Sequence, residues 1–146
     1  MKGCYVLLLR LERERCIQVG KLGRFLFRKG YYAYVGSAMN SLERRISRHL
    51  RREKRRHWHL DYLLELALPV AVFKIASAER CECALSKVLE GMHKASTPVR
   101  GFGSSDCSCR AHLFYFPFNP GRELYSSLSR FSRESNLTLS FERLAQ

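Results

Sequence analysis

The sequence predicts a small α+β domain, in which one mostly antiparallel sheet carries about three packed helices. Three observations lead to this prediction. The chain has 146 residues, which suits one domain and excludes a TIM barrel, a two-half dinucleotide fold or a long repeat array. Its residues are 46% hydrophobic, which is enough to form a real core. The apolar periodicity follows the order strands, helix, helix, strand, helix, strand.

The first 36 residues predict an antiparallel meander of short strands. Segment 4–11 is a continuous apolar run, which is typical of a buried strand. Three further β-rich segments follow at 16–19, 24–28 and 31–36. Charged residues or glycines fill each gap between these segments, and such residues favour turns.

After Gly36 the apolar residues take on helical spacing. Helices are predicted over 41–56, 57–67 and 78–92, and strands over 70–75 and 112–116. Ser41 suits the N-cap of the first helix, and Leu42, Ile46 and Leu50 form one apolar stripe. The periodicity weakens from Asn119 onward. We therefore expect one domain over residues 1–118 and a partly helical C-terminal tail over 119–146.

The charge is strongly basic, with 26 Lys+Arg against 13 Asp+Glu and a formal net charge of +13. A positive field of this strength attracts polyanions, so nucleic acid is the expected partner, with DNA favoured over RNA. Segment 41–57 alone carries eight Lys/Arg and two Glu. Its arginines are the predicted phosphate contacts: Arg44, Arg48, Arg51, Arg52, Arg55 and Arg56.

The N-terminal segment predicts a cytoplasmic protein without a membrane partner. Its apolar run before Arg10 has about six residues, which is too short for a membrane span, and no small-residue cleavage site follows. In a reducing compartment, cysteines are expected to be thiols or metal ligands rather than disulfides. The six cysteines are Cys4, Cys16, Cys81, Cys83, Cys107 and Cys109.

Two tripeptides and three further residues resemble the GIY-YIG nuclease superfamily. Gly3-Cys4-Tyr5 opens the first predicted strand, and Tyr34-Val35-Gly36 closes the fourth. Arg45 and His49 follow one helical turn apart, and Glu82 lies on a later predicted helix. The superfamily resemblance implies an endonuclease that hydrolyses phosphodiester bonds with the help of a metal ion.

Two more segments narrow the resemblance. Residues 57–62 and 101–107 are similar to the Uri-type endonuclease subfamily of small prokaryotic proteins. The resemblance as a whole covers residues 3–117. The superfamily also carries a late asparagine near its site, but Asn119 lies too far beyond the last predicted strand to match it.

Each candidate catalytic residue suits one part of phosphodiester hydrolysis. Glu82 could hold Mg²⁺ or Mn²⁺, because Mg²⁺ often takes only one or two protein carboxylates. Arg45 could clamp the phosphate with its planar guanidinium. The resemblance implies that Tyr5 and Tyr34 bind and help activate the attacking water. His49 follows Arg45 by four residues, faces the same way and could transfer a proton.

Other carboxylates compete with Glu82 for the metal. Glu79 lies one turn earlier, and Glu82 is preferred because it leads the apolar stripe of its helix, which is where the resemblance implies the metal-binding glutamate. Asp106, in a Gly- and Ser-rich loop, is a candidate second carboxylate.

A second metal site is an open alternative. Cys107-x-Cys109-x-x-His112 has the short spacing of zinc ligands, and Cys83, His57 or His59 could supply a fourth. A structural zinc is not favoured from the sequence, because loop thiols in a reducing cell explain the same residues.

Two rival functions accompany the endonuclease hypothesis. One is a non-catalytic nucleic-acid-binding module on the same fold. The other is a zinc-stabilised interaction domain whose charge serves RNA. Cleavage that depends on Mg²⁺ separates the endonuclease from the first rival, and metal analysis decides the second.

Overall fold

The computed structural model describes residues 1–105 and 107–144. These residues form seven strands and four α-helices, so the predicted α+β class is confirmed. The strands are β1 (Gly3–Leu11), β2 (Arg15–Val19), β3 (Gly23–Phe27), β4 (Gly30–Ala38), β5 (Leu68–Ala76), β6 (Leu113–Phe116) and β7 (Thr138–Arg143). The helices are α1 (Leu42–Leu50), α2 (His59–Leu64), α3 (Glu82–Glu90) and α4 (Gly121–Glu134).

Five of these strands form one antiparallel sheet in the order β6-β4-β1-β5-β7. The central strand β1 is buried along almost its whole length, as its continuous apolar run predicts. The predicted meander is wrong, because β2 and β3 pair with each other in a separate two-stranded sheet and β4 returns to β1. Strand β1 is apolar on both faces, so it needs long neighbouring strands and packed elements on each face. The short, half-exposed β2 does not provide such a neighbour.

Helices cover both faces of the sheet, and successive residues of β1 point to opposite faces. Tyr5, Leu7 and Leu9 pack with α1, α2 and the β2–β3 hairpin in one core. Cys4, Val6 and Leu8 pack with α3 and α4 in a second core. The sheet is therefore the middle of three layers.

Helix α1 begins as predicted. The Ser41 hydroxyl accepts a hydrogen bond from the Arg44 N–H at 3.2 Å, which makes Ser41 the N-cap. The predicted apolar stripe also faces the core, since Leu42 and Ile46 are buried and Leu50 packs against them.

Helix α1 ends at Leu50, so the predicted end at residue 56 is wrong. Residues 51–56 contain five Lys/Arg and no apolar residue, so a continued helix would crowd like charges without burying a stripe. The Lys54 ammonium instead donates to the carbonyls of His49 and Arg51 at 2.8 and 2.5 Å, which satisfies two acceptors at the end of the helix.

The other predicted elements are present with shifted ends, and the chain after Asn119 holds more structure than its periodicity predicts. Helix α4 packs Leu124 and Leu128 into the second core, and β7 pairs along β5 at the edge of the sheet. No helix within residues 1–105 and 107–144 combines the length and apolar character needed to cross a membrane.

The expectation that every cysteine is a thiol or metal ligand is wrong for Cys4 and Cys81, which form a disulfide. Their Cα atoms are 5.9 Å apart, within the range that a disulfide bridges. Cys4 is the second residue of β1 and lies on the face that packs against α3, and Cys81 is the N-cap of α3. The bond therefore joins the start of α3 to the central strand.

A buried carboxylate fastens α1 to the start of α2. Asp61 is 1% exposed and accepts two hydrogen bonds from the Arg48 guanidinium, at 3.0 and 2.9 Å. It also accepts the backbone N–H groups of His57 and Trp58, at 2.7 and 2.8 Å. Burial alone would raise the pKa of Asp61, but these hydrogen bonds outweigh it and hold the pKa below its ordinary value.

We predict that Asp61→Asn lowers the free energy of unfolding at neutral pH by about 3 kcal/mol, because it leaves Arg48 without its charged partner. A carboxyl whose folded pKa is depressed contributes stability above its unfolded pKa, about 4, and loses it as pH falls through the folded value. The cost of the substitution should therefore shrink below about pH 4. Urea unfolding at several pH values measures both effects.

The exposed Glu53 provides the control for this prediction, because Glu53→Gln removes the same charge nearby. It should change stability by less than about 0.5 kcal/mol at every pH. An Asp61→Asn cost that is small, or constant from pH 7 to pH 3, would contradict the assignment.

Candidate active site

A groove of about 640 Å³ lies where β4 ends. Tyr34, Arg45 and Glu82 of the predicted site line it. They come from β4, α1 and α3, and α1 and α3 pack on opposite faces of the sheet. The fold thus brings together three candidate residues that are far apart in the chain.

Tyr5 and His49 form a buried pair next to Tyr34. The Tyr5 hydroxyl lies 2.7 Å from His49 Nε2, and both residues are 1% exposed. The Tyr34 ring centroid lies 6.3 Å from that of Tyr5 and 6.0 Å from that of His49. Strands β1 and β4 pair, with Tyr5 opposite Gly36.

Burial keeps this aromatic group uncharged near neutral pH. It lowers the pKa of His49 to about 3, so the imidazole is neutral. It raises the pKa of Tyr5 to about 12, although the nearby Arg45 guanidinium opposes the shift. Burial, and then the neighbouring Tyr5, also raise the pKa of Tyr34. Both phenols therefore keep their protons.

Gly36 makes room for the Tyr5 ring. A Cβ atom at this position would collide with the ring and the hydroxyl of Tyr5 across the β1–β4 pairing. The glycine of the Tyr34-Val35-Gly36 segment is therefore needed for close packing, and it allows Tyr5 to reach His49.

Arg45 is held by two contacts while it borders the groove. Its Nη1 donates to the carbonyl of Ser37 at 3.0 Å, and its guanidinium lies 4.7 Å from the centre of the Trp58 ring. The side chain is half-buried and lines the groove. This arrangement presents an oriented positive charge to a bound anion.

Glu82 is the first residue of α3, and its side chain is 16% exposed. Its Oε1 lies 3.6 Å from the Arg80 guanidinium. Its Oε2 is buried and has no hydrogen-bond partner within residues 1–105 and 107–144. A buried carboxylate oxygen without a hydrogen-bond donor is costly unless a cation binds it, so this atom is suited to coordinate a metal ion.

Of the other candidate carboxylates, Glu79 does not line this groove. It is exposed and lies before α3. Asp106 lies outside the described residues. Asn119, which did not match the late asparagine of the superfamily, accepts the N–H of Gly121 at 2.9 Å and lies before α4.

The six predicted phosphate-contacting arginines have different surroundings. Arg48 is bound to Asp61 and to the carbonyl of Arg55, and Arg56 pairs with Glu65. The remaining four side chains are exposed: Arg44, Arg51, Arg52 and Arg55.

The residues of the groove wall that sequence reasoning missed include Asn40, Trp58 and Arg80. Arg80 contacts Glu82, and Trp58 supports Arg45. The Arg45–Trp58 contact joins residues that are 13 apart and depends on the fold, whereas Arg80 lies only two residues before Glu82. The resemblance over 57–62 pointed at the segment containing Trp58, but gave its tryptophan no role.

A second cluster adjoins the groove. Cys83, Cys107, Cys109 and His112 each offer one ligand atom, and these four atoms lie within 4.8 Å of one another. The cluster could hold a metal ion. Burial, and then the neighbouring thiols, raise the pKa of the Cys109 thiol to about 12, as expected for crowded sulfur atoms that repel as thiolates.

Of the three residues that the sequence offered as a fourth ligand, the structure places Cys83 in the cluster. His59 is engaged elsewhere, because its Nδ1 accepts the N–H of Gly103 at 2.8 Å. His57 is exposed and packs edge-on against Trp58, with ring centroids 4.9 Å apart.

Comparison with known proteins gives one family. The chain belongs to the family described as Domain of unknown function DUF123, whose model matches residues 4–133. The match spans every candidate residue of the groove and of the Cys/His cluster. Searches of curated proteins and of solved structures returned no match.

We predict that Gly36→Ala lowers the free energy of unfolding by about 2 kcal/mol, because the new methyl group must displace the Tyr5 ring. Gly91→Ala is the matched control. A Cβ at Gly91 meets its nearest neighbours at 3.7 and 3.9 Å, which is ordinary contact. Thermal and urea unfolding of both variants test this, and equal stabilities would contradict the packing role of Gly36.

Proposed function

We propose that this protein is a Mg²⁺-dependent endonuclease of the GIY-YIG type that hydrolyses phosphodiester bonds in DNA. One observation carries the proposal: Arg45, Glu82 and Tyr34 converge on a single groove, and the Tyr5–His49 pair lies beside it. The resemblance of Gly3-Cys4-Tyr5 and Tyr34-Val35-Gly36 to the motifs of that superfamily supports it.

The donor atoms fit a divalent cation at Glu82. Its buried Oε2 has no donor among the described residues, and Mg²⁺ or Mn²⁺ prefers such oxygen ligands and needs few of them from protein. When bound, this ion would supply positive charge that offsets the charge building up on the phosphate.

Arg45 would hold the scissile phosphate. A guanidinium donates two parallel hydrogen bonds to phosphate oxygens, and its charge persists at every physiological pH. The contacts to Ser37 and Trp58 orient the side chain before the substrate arrives, which reduces the ordering cost of binding.

The tyrosines and His49 would orient the attacking water and take up the proton that it loses. The Tyr34 hydroxyl would orient the attacking water in the groove. The neutral His49 offers a proton acceptor at Nε2, 2.7 Å from the Tyr5 hydroxyl. The positive charge of Arg45 lowers the pKa of Tyr5 against the larger effect of burial, which makes transfer of the Tyr5 proton less unfavourable.

The exposed arginines after α1 would bind the DNA backbone. Arg51, Arg52 and Arg55 lie in a segment that begins where the helix carrying Arg45 ends. Their contacts with phosphates would give affinity and salt dependence without reading the sequence. We assign Arg48 to holding α1 in place, because Asp61 already occupies its guanidinium.

We predict that Glu82→Ala slows Mg²⁺-dependent cleavage about 100-fold or more while DNA affinity changes less than about threefold. The substitution removes the proposed metal ligand but none of the basic surface. Cleavage of labelled single-stranded, duplex, nicked and branched DNA, in Mg²⁺, Mn²⁺ or EDTA, measures activity. Fluorescence anisotropy measures affinity.

Glu79→Ala and Glu90→Ala are matched controls, since both remove an exposed carboxylate outside the groove. Both should cleave like the wild type. A fully active Glu82→Ala variant would overturn the metal assignment. Tight binding by the wild type without cleavage under any metal condition would favour the non-catalytic nucleic-acid-binding module instead.

We predict that replacing Arg51, Arg52 and Arg55 together by alanine weakens DNA binding and flattens its salt dependence. The slope of log K against log salt should fall by about 0.9 for each arginine that contacts a phosphate of duplex DNA. The control removes three exposed arginines of α4: Arg122, Arg130 and Arg133. Equal slopes for the two triple variants would contradict a specific role for segment 51–56.

A further inference from the structure

We propose that Cys83, Cys107, Cys109 and His112 form a tetrahedral zinc site that fastens the loop over residues 101–112 to α3. The four ligand atoms lie within 4.8 Å of one another. Zinc at about 2.3 Å from each sulfur of a tetrahedral site separates two sulfur atoms by about 3.8 Å. The cluster is therefore close to the dimensions of a bound site without any rearrangement of the backbone.

The donor set selects the ion. Three thiols and one imidazole are soft ligands, which suit zinc in a closed structural site and do not suit Mg²⁺. The ligands also come from two separate parts of the chain. Cys83 lies in the first turn of α3, and the other three lie in the loop that precedes β6. A metal bound here would cross-link these two parts.

His112 is already oriented as a ligand. It is 3% exposed, its Nε2 lies 3.2 Å from Cys107 Sγ, and its Nδ1 lies 2.5 Å from the buried Ser86 hydroxyl. When Nδ1–H donates to Ser86, the lone pair on Nε2 points toward the thiols. Such a hydrogen bond to the second ring nitrogen is the usual partner of a metal-ligating histidine.

Two short backbone hydrogen bonds close the base of the loop, whereas the bonds from Ser104 N–H to Gly101 and from Cys107 N–H to Ser104 are longer, at 3.3 Å. Gly101 N–H donates to the carbonyl of Arg110 at 2.7 Å, and His112 N–H donates to that of Phe102 at 2.8 Å. Between the bonds at the base the sequence is mostly polar or thiol-bearing, and residues 104, 105 and 107–109 have no regular secondary structure. A metal bound by Cys107 and Cys109 would hold this part of the loop.

The site would also shape the proposed cutting groove, a consequence that rests on the proposed function. Cys107 and His112 line the groove, and Cys83 directly follows Glu82 on α3. Loss of the metal would therefore loosen one wall and the helix start that carries the proposed magnesium ligand.

The test measures metal content independently of activity. Wild-type protein purified without a metal-chelating column should contain about one zinc per chain by inductively coupled plasma mass spectrometry. Removing the metal with a strong chelator should lower Tm by about 10 °C, and added Zn²⁺ should restore it. Replacement by Co²⁺ should give the visible absorption bands of a tetrahedral thiolate site.

Variants locate the ion. Cys109→Ser and His112→Gln should lose most of the zinc, whereas the controls Cys16→Ser and His93→Gln, both at exposed positions, should keep it. Wild-type protein that carries no zinc and gains no stability from added Zn²⁺ would overturn the proposal, whether or not the variants fold.

The endonuclease proposal and the zinc-site proposal can be contradicted independently of each other. Zinc-loaded protein that cleaves nothing would contradict the endonuclease and leave the zinc site standing. Wild-type protein that carries no zinc and gains no stability from Zn²⁺, yet cleaves DNA in Mg²⁺, would contradict the zinc site alone. Glu82→Ala should keep its zinc, because the carboxylate is not one of the four ligands.

Discussion

The antiparallel pairing of β1 with β4 determines where the proposed reacting groups lie. It places Tyr5 opposite Gly36 and Tyr34 opposite Leu7, so both phenols face the layer that contains α1. A slip of one residue would turn Tyr5 to the other face, away from His49. Such a slip is unfavourable because both faces of β1 are buried in separate cores, so the packing of the whole sheet defines the register.

This arrangement separates a charged groove from an uncharged interior. Arg45 and Glu82 border the groove, whereas the Tyr5–His49 pair is desolvated and neutral. Their hydrogen bond satisfies the Tyr5 hydroxyl and His49 Nε2, while the buried His49 Nδ1 has no hydrogen-bond partner among the described residues. A buried ion would cost more still without a charged partner. The pair is therefore uncharged near neutral pH.

The sequence predicts most of the fold, because apolar periodicity reports which face of a strand or helix is buried. It could not predict where α1 ends, since that depends on like charges after Leu50, nor that β7 pairs along β5. The sequence motifs indicated the five candidate catalytic residues, and the structure brings all five of them close together. The Arg48–Asp61 contact and the choice of Cys83 depend on elements that meet only in the folded chain.

Three consecutive residues at the start of α3 each contact a different part of the molecule. Cys81 is bonded to Cys4 of β1, Glu82 borders the groove, and Cys83 belongs to the thiol cluster. Because Cys4 precedes Tyr5, the disulfide ties the strand of one candidate catalytic residue to the helix of another. A carboxylate and a thiol at successive positions also prefer different ions, one hard and one soft. Two metals bound at the proposed sites would therefore not compete, and the one held by thiols would help to position the ligand of the other.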